Sequence, residues 1–361
     1  MLVTNNPNLN FWENKKVLIT GHSGFKGSWL SLWLLLMNAE VYGISLEPDK
    51  MPNLFQESHL DKRINNNFLD LRNEKDLKNI VLENEPDIVF HLAAQPLVIK
   101  SYLNPIETWE TNLMGTTYLL NILRNLPNKC ACVCITTDKV YKNNTFQKQF
   151  KEEDPLGGID PYSSSKAACE ISIESFRESF CGFKKYQKNN LFIASARAGN
   201  IIGGGDWSEN RIIPDIIKSI NSKKKIAIRQ PKSVRPWQHV LDPLAGYLKL
   251  AERLFIEGSS FASAFNFGPT IDSNKTVLEL IKSAEKYLNF SWEIIDQDKN
   301  YYEAPFIGLD INKAQKILNW QPKYSFEESV EKTMIWYKKY YQNPKETFSL
   351  CQNEIEDFLS Q

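Results

Sequence analysis

Short apolar runs alternate with amphipathic stretches over the first two hundred residues. Lys16-Val-Leu-Ile-Thr20 is an apolar run of strand length, closed by Gly21-His-Ser-Gly-Phe-Lys-Gly27. A helical segment over 28–38 follows directly, then a second β run over 40–46. The pattern predicts further strands at 67–71, 86–93 and 191–196, and one that starts at Ala131 and ends in Thr136-Thr137-Asp138-Lys139. Helices are predicted over 74–83, 105–126 and 161–180. Such βα units joined by short loops predict an α/β fold, a Rossmann-type doubly wound parallel sheet. After Arg197 the pattern changes. A glycine-rich loop over 199–207 precedes shorter, less regular elements, with β-like runs at 226–230 and 265–268 and an amphipathic helix over 325–341. The expected organisation is a sheet domain of 1–199 and about 236–268, with a smaller α+β lobe of about 200–235 and 269–361.

Composition narrows the function. Lys plus Arg and Asp plus Glu both total 43, so no net charge draws the chain of 361 residues to nucleic acid or to membrane. The apolar stretch around 29–37 is too short to span a bilayer. Residues 1–10 are polar and Asn-rich, lack the layout of a signal peptide, and read as a loose arm. The six cysteines show no C-x-x-C spacing; Cys130, Cys132 and Cys134 alternate along a strand with no His nearby, so they read as small buried residues and not as metal ligands. A reduced, cytoplasmic compartment is the expectation.

The candidate chemistry lies at strand ends. A buried strand has no structural use for Thr, Asp and Lys at its tip, whereas ligands of a parallel sheet bind just beyond the carboxyl ends. The glycines of 21–27 stand between a strand and a helix. There they let the backbone approach a diphosphate at the helix N-terminus; an incidental tight turn is the bland alternative. Tyr162 and Lys166 are four apart in a helical stretch and share a face. A free Tyr titrates near 10, and a neighbouring ammonium favours its phenolate.

Together G-x-x-G-x-x-G at 21–27, Asp70, His91-Leu-Ala-Ala-Gln95, Asn112, Thr136-Thr137 and Tyr162-x-x-x-Lys166 resemble the extended short-chain dehydrogenase/reductase family. The resemblance implies NAD along the strand ends. Its contacts would be Gly21, His22, Ser23, Gly24, Phe25, Lys26, Gly27, Ser45, Asp70, Leu71, Ala93, Ala94, Gln95, Asn112 and Thr136, with Tyr162 as the base and Lys166 on the nicotinamide ribose. Blocks at 21–33, 136–141, 197–207 and 235–241 are similar to the nucleotide-sugar 4,6-dehydratases, and the likeness runs from about Phe11 to Trp336. It implies a lyase that oxidises C4 of a hexose, eliminates water across C5 and C6 and reduces C6, for deoxysugar and surface-polysaccharide (O-antigen) synthesis, with CDP-glucose as the expected substrate. Thr137 would assist Tyr162, Asp138 would be the acid and Lys139 the C5 base, or an ammonium that only stabilises the enolate. Asn200, Arg211, Arg235, His239 and Asn266 would bind the nucleotide sugar, although His239 reads rather more readily as a satisfied, partly buried side chain. Ser45 and Lys26 stand where discrimination against the NADP 2′-phosphate could weaken. The helices over 105–126 and 161–180 resemble the family's dimer contact, which implies a homodimer or homotetramer. A 4-epimerase, a dehydratase of a GDP- or dTDP-linked sugar, and a non-catalytic NAD-sensing protein remain as alternatives.

Overall fold

The computed structural model describes residues 6–143, 148–181, 190–295 and 306–361. Its centre is a seven-stranded sheet of β1 (Lys16–Thr20), β2 (Glu40–Ser45), β3 (Asn65–Phe68), β4 (Ile88–His91), β5 (Cys130–Ile135), β6 (Leu191–Ala198) and β7 (Ala264–Phe267). The order is β7-β6-β5-β4-β1-β2-β3, and each adjacent pair is parallel. Chain order reverses beside β1 and β4, and that switch point opens a crevice at the carboxyl ends. All six residues of β5 are buried, as expected for a strand covered on both faces. Cys130, Cys132 and Cys134 lie in the apolar layer on one of them, and all six cysteines are unpaired and buried.

The helices that matter for the site are α1 (Phe25–Leu36), α2 (Glu74–Asn84), α3 (Pro161–Phe180), α4 (Ile212–Ser222), α5 (Leu241–Glu257), α6 (Phe326–Gln342) and α7 (Thr347–Ser360). Three expectations change. α1 begins at Phe25 rather than at 28, so Gly27 lies inside the first turn: a Cβ there would sit 2.1 Å from Gly21 O. The helix expected over 105–126 is interrupted, with α-helix at Pro105–Trp109 and Gly115–Leu123 and a π turn at Glu110–Met114 between them. α5 was not foreseen; it lies against β5 and β6. The expected loose arm is tied down where it is described, since Asn6 Nδ2 donates to Leu359 O at 2.7 Å and Asn8 N to Glu252 Oε1 at 2.7 Å; residues 1–5 of that arm lie outside the described residues.

The C-terminal helices anchor the glycine-rich loop 199–207. Ser325 and Glu328 form a capping box that starts α6. Farther along α6, Trp336 lies so close to Gly204 that a Cβ there would meet its ring at 1.9 Å. Tyr337 Oη donates to Asp206 O at 2.5 Å and accepts from Asp206 N at 3.0 Å. Among the described residues, no helix is long and apolar enough to cross a membrane.

Candidate active site

A cleft of about 820 Å³ runs along the carboxyl ends of the sheet, between the glycine loop and 199–235. At its floor Gly21 has φ +76°, and a Cβ would fall 2.7 Å from Ala93 N. Gly24 caps α1 without a side-chain bond, so the helix's first N–H groups face the cleft with no intrahelical partner. This glycine cradle fits a dinucleotide diphosphate, and a side chain at Gly21 or Gly27 would collide with Ala93 or with Gly21 O and distort it. Gly21, Ser23, Gly24, Phe25, Lys26, Gly27, Ser45, Asp70, Leu71, Ala93, Ala94, Gln95 and Thr136 all line the cleft. Ser45 Oγ donates to Ser23 Oγ at 2.8 Å, which ties the tip of β2 to the loop. Arg72 holds Asp70 through contacts of 2.7 and 3.0 Å and keeps its carboxyl below the usual range.

Two expected cofactor contacts are elsewhere. His22 is buried beneath β2, 2.6 Å from Asn66 Oδ1, because Gly43 leaves room for its ring, and burial lowers its basicity. Asn112 is buried in the π turn, where it accepts from Gln95 N at 2.7 Å and donates to Ser165 Oγ at 2.9 Å. It braces the loop after β4 against α3 and does not line the cleft.

Thr137, Asp138, Lys139, Tyr162 and Lys166 converge at the centre of the cleft. Tyr162 and Lys166 belong to the first two turns of α3, which starts at Pro161 under an Asp160 cap. A bond with Thr137 favours the Tyr162 phenolate, but burial is the larger influence and pushes the phenol up to about 12. Lys166 Nζ donates to Ile135 O at 3.2 Å, and burial lowers its basicity. Asp138 is buried, and desolvation raises its carboxyl despite Lys139, Thr137 and Arg235. Its Oδ1 accepts from Thr137 Oγ1 at 3.1 Å, while its buried Oδ2 has no hydrogen-bond partner. Gly199 makes the room, since a Cβ there would lie 2.2 Å from that oxygen. Lys139 is half-buried beside it. The arrangement is a carboxyl raised by burial, a lysine and a phenol around one cavity, which suits moving protons at neighbouring carbons.

The sugar-nucleotide candidates divide. Asn200, Arg211 and Arg235 line the cleft. Arg211 Nη1 donates to Asp206 Oδ2 at 2.9 Å, and Arg235 is buried with Nη1 on Val234 O at 2.8 Å. His239 is fully buried below the cleft, with Nε2 3.1 Å from Glu354 Oε1 of α7. Asn266 is fully buried in β7, where it bonds Phe150 O, Asp310 O and the Tyr141 hydroxyl. Neither lines the cleft; Asn266 satisfies polar groups of the core, and His239 Nδ1 accepts from Leu241 N at 3.4 Å.

Reading along the chain missed a brace beneath the strand tip. Thr136 Oγ1 donates to Glu170 Oε1 at 2.5 Å, and the other carboxylate oxygen accepts from Ser195 at 2.7 Å and Arg197 at 2.8 Å. Glu170 is four residues beyond Lys166, so helical spacing alone placed it on the catalytic face. Asp206, the partner of Arg211, carried no such signal.

Fold and site define a dinucleotide-type α/β enzyme with a buried carboxyl, Asp138, in the cleft that also holds Tyr162 and Lys166. A family model described as GDP-mannose 4,6 dehydratase matches residues 18–333, and the chain belongs to that family of nucleotide-sugar dehydratases. A protein of Salmonella typhimurium described as CDP-glucose 4,6-dehydratase is 42% identical over 97% of this chain and 98% of its own. Among solved structures, UDP-glucose 4-epimerase of Thermotoga maritima matches with TM-score 0.74 and 22% identity over 90% of this chain and 98% of that one. dTDP-glucose 4,6-dehydratase of Bacillus anthracis, in complex with NAD, matches with TM-score 0.72 and 23% identity over 90% and 96%. At these identities the two structures speak for the fold.

Proposed function

We propose that this chain is an NAD-dependent hydro-lyase converting CDP-glucose to CDP-4-keto-6-deoxyglucose and water. The observation that carries the reading is Asp138, a carboxyl raised by burial, with one oxygen unpartnered, beside Tyr162 and Thr137. An epimerase needs no proton donor beyond the Tyr162 hydroxyl, whereas elimination needs one for the departing C6 oxygen. The full-length kinship at 42% supports the cytidine sugar.

The glycine cradle, Asp70 and Lys166 would hold NAD, which when bound accepts the C4 hydride and returns it at C6. Tyr162 takes the C4 hydroxyl proton, with Thr137 bonded to its oxygen. Lys139 accepts the C5 proton, made acidic by the adjacent ketone, and Asp138 protonates the leaving C6 hydroxyl. Asn200, Arg211 and Arg235 hold the sugar and its diphosphate, the guanidiniums by charge-assisted bonds, so that 200–235 and 269–361 act as the nucleotide-sugar lobe. Incubation with CDP-, dTDP-, GDP- and UDP-hexoses, followed by mass measurement, tests this. Loss of one water from CDP-glucose is expected. Loss only from another nucleotide sugar overturns the cytidine assignment, and no loss from any overturns the dehydratase reading.

The same reading extends to a homodimer. Leu103, Ile106, Met114 and Ile171 expose large apolar side chains on the segments 98–114 and α3, which pack against each other. A second copy would cover them.

A further inference from the structure

The turn that carries Thr137, Asp138 and Lys139 is fastened at both ends by one buried ion pair. On one side Thr136 Oγ1 donates to Glu170 Oε1. On the other, Arg197 Nη1 donates to the Tyr141 hydroxyl at 2.9 Å, and that hydroxyl donates to Asn266 Oδ1 at 2.7 Å. Arg197 Nη2 and Glu170 Oε2 close the link at 2.8 Å, and both side chains are buried. The Tyr141 ring lies flat on Phe150, with 4.9 Å between centroids, which fixes where its hydroxyl stands.

The same pair spans the other elements of the site. Glu170 follows Tyr162 and Lys166 at four-residue steps along one face of α3. Arg197 lies in β6, two residues before Gly199, the glycine that makes room for Asp138 Oδ2. Glu170, Arg197 and Tyr141 do not line the cleft, so they act on the reaction only through what they hold. A buried ion pair adds little net stability, since apolar side chains of the same volume often serve as well, but it is directional. What it supplies here is placement.

The two halves of the chemistry need that placement unequally. C4 oxidation depends chiefly on Tyr162 and Lys166, which α3 carries by itself. Elimination requires Asp138 and Lys139 to address C6 and C5 of a hexose whose C4 hydroxyl sits on Tyr162. The turn must therefore keep its register against α3, and a displacement of about 1 Å can cost about 100-fold. We propose that Glu170, Arg197 and Tyr141 are positioning residues that hold this turn against α3 for the elimination step. The inference rests on the dehydratase reading above and extends it to residues outside the cleft.

Glu170→Gln, Tyr141→Phe and the double variant, each as the full chain with NAD, test this with CDP-glucose. NADH absorbance reads C4 oxidation, solvent deuterium at C5 reads the base step, and mass measurement reads loss of water. The ratio of these rates within one sample does not depend on how much protein is folded, so a merely structural role leaves it native. Each single variant should oxidise C4 at close to the native rate, with NADH persisting. C5 exchange and water loss should fall by about tenfold or more, with KM little changed. The double variant should lose no more than the worse single one, because both substitutions act through one brace. Tyr141→Phe leaves the ion pair in place and decides the outcome if Glu170→Gln does not fold. A native ratio in Tyr141→Phe overturns the proposal, as does an equal fall in oxidation and elimination. Failure of the native chain to dehydrate any nucleotide hexose would instead sink the reading on which the proposal rests.

Discussion

Asp138 and Lys139 are neighbours in the chain and differ in surroundings. Asp138 is buried against Gly199 with one oxygen unbonded, so its carboxyl stays protonated above the ordinary range. Lys139 is half-buried at the cleft wall. The separate roles proposed for them predict separable defects. Lys139→Ala should still oxidise C4, seen as transient NADH absorbance, but lose solvent exchange at C5 by 10²-fold or more, a typical contribution of a positioned base. Native exchange in that variant would rule out the base assignment. Asp138→Asn should keep both early steps and lose elimination. The identity of both residues was readable as a polar cluster at a strand tip, but the upward shift of the Asp138 carboxyl was not. It depends on Gly199 and Arg235, some 60 and 100 residues away.

At the scale of elements, the first βα turn is decided by two glycines with different reasons. Gly21 needs positive φ, whereas Gly27 has ordinary helical backbone and no space for a Cβ beside Gly21 O. Gly27→Ala should therefore widen the turn and weaken NAD binding by tenfold or more while the protein stays folded. Fluorescence titration of the purified variant would check this, and native affinity would contradict it. The strand–loop–helix succession was legible because periodicity and glycine punctuation are local. The break in the helix over 105–123 was not, since the π turn places Asn112 between Gln95 and Ser165, partners from other elements. α5 was missed for another reason. Thirteen of its residues are buried, including Leu248, Lys249 and Leu250 in succession, so it lacks the one-sided stripe of a surface helix.

For the whole molecule, the exposed apolar side chains of 98–114 and α3 are where the proposed dimer can be tested. Glu placed at both Ile106 and Ile171 should convert a dimer to a monomer in sedimentation while the thermal unfolding temperature changes little, because both side chains are already largely exposed. A monomeric native chain would remove the dimer proposal. The glycine-rich loop 199–207 is less legible than the sheet, because its contacts come from the far C-terminus, as when Trp336 and Tyr337 of α6 fix Gly204 and Asp206.

What the sequence determined by itself was the parallel α/β succession, the glycine turn, and the Tyr162/Lys166 pair, all set by spacing within one element or one loop. The tertiary structure alone decided which polar residues face the cleft. His22, Asn112, His239 and Asn266 turn inward, because backbone and buried polar groups there need partners more than a ligand does. Lys26 turns outward among charges from three distant segments. Whether a polar side chain serves the core or the ligand depends on what packs around it, and that is settled only when remote parts of the chain meet.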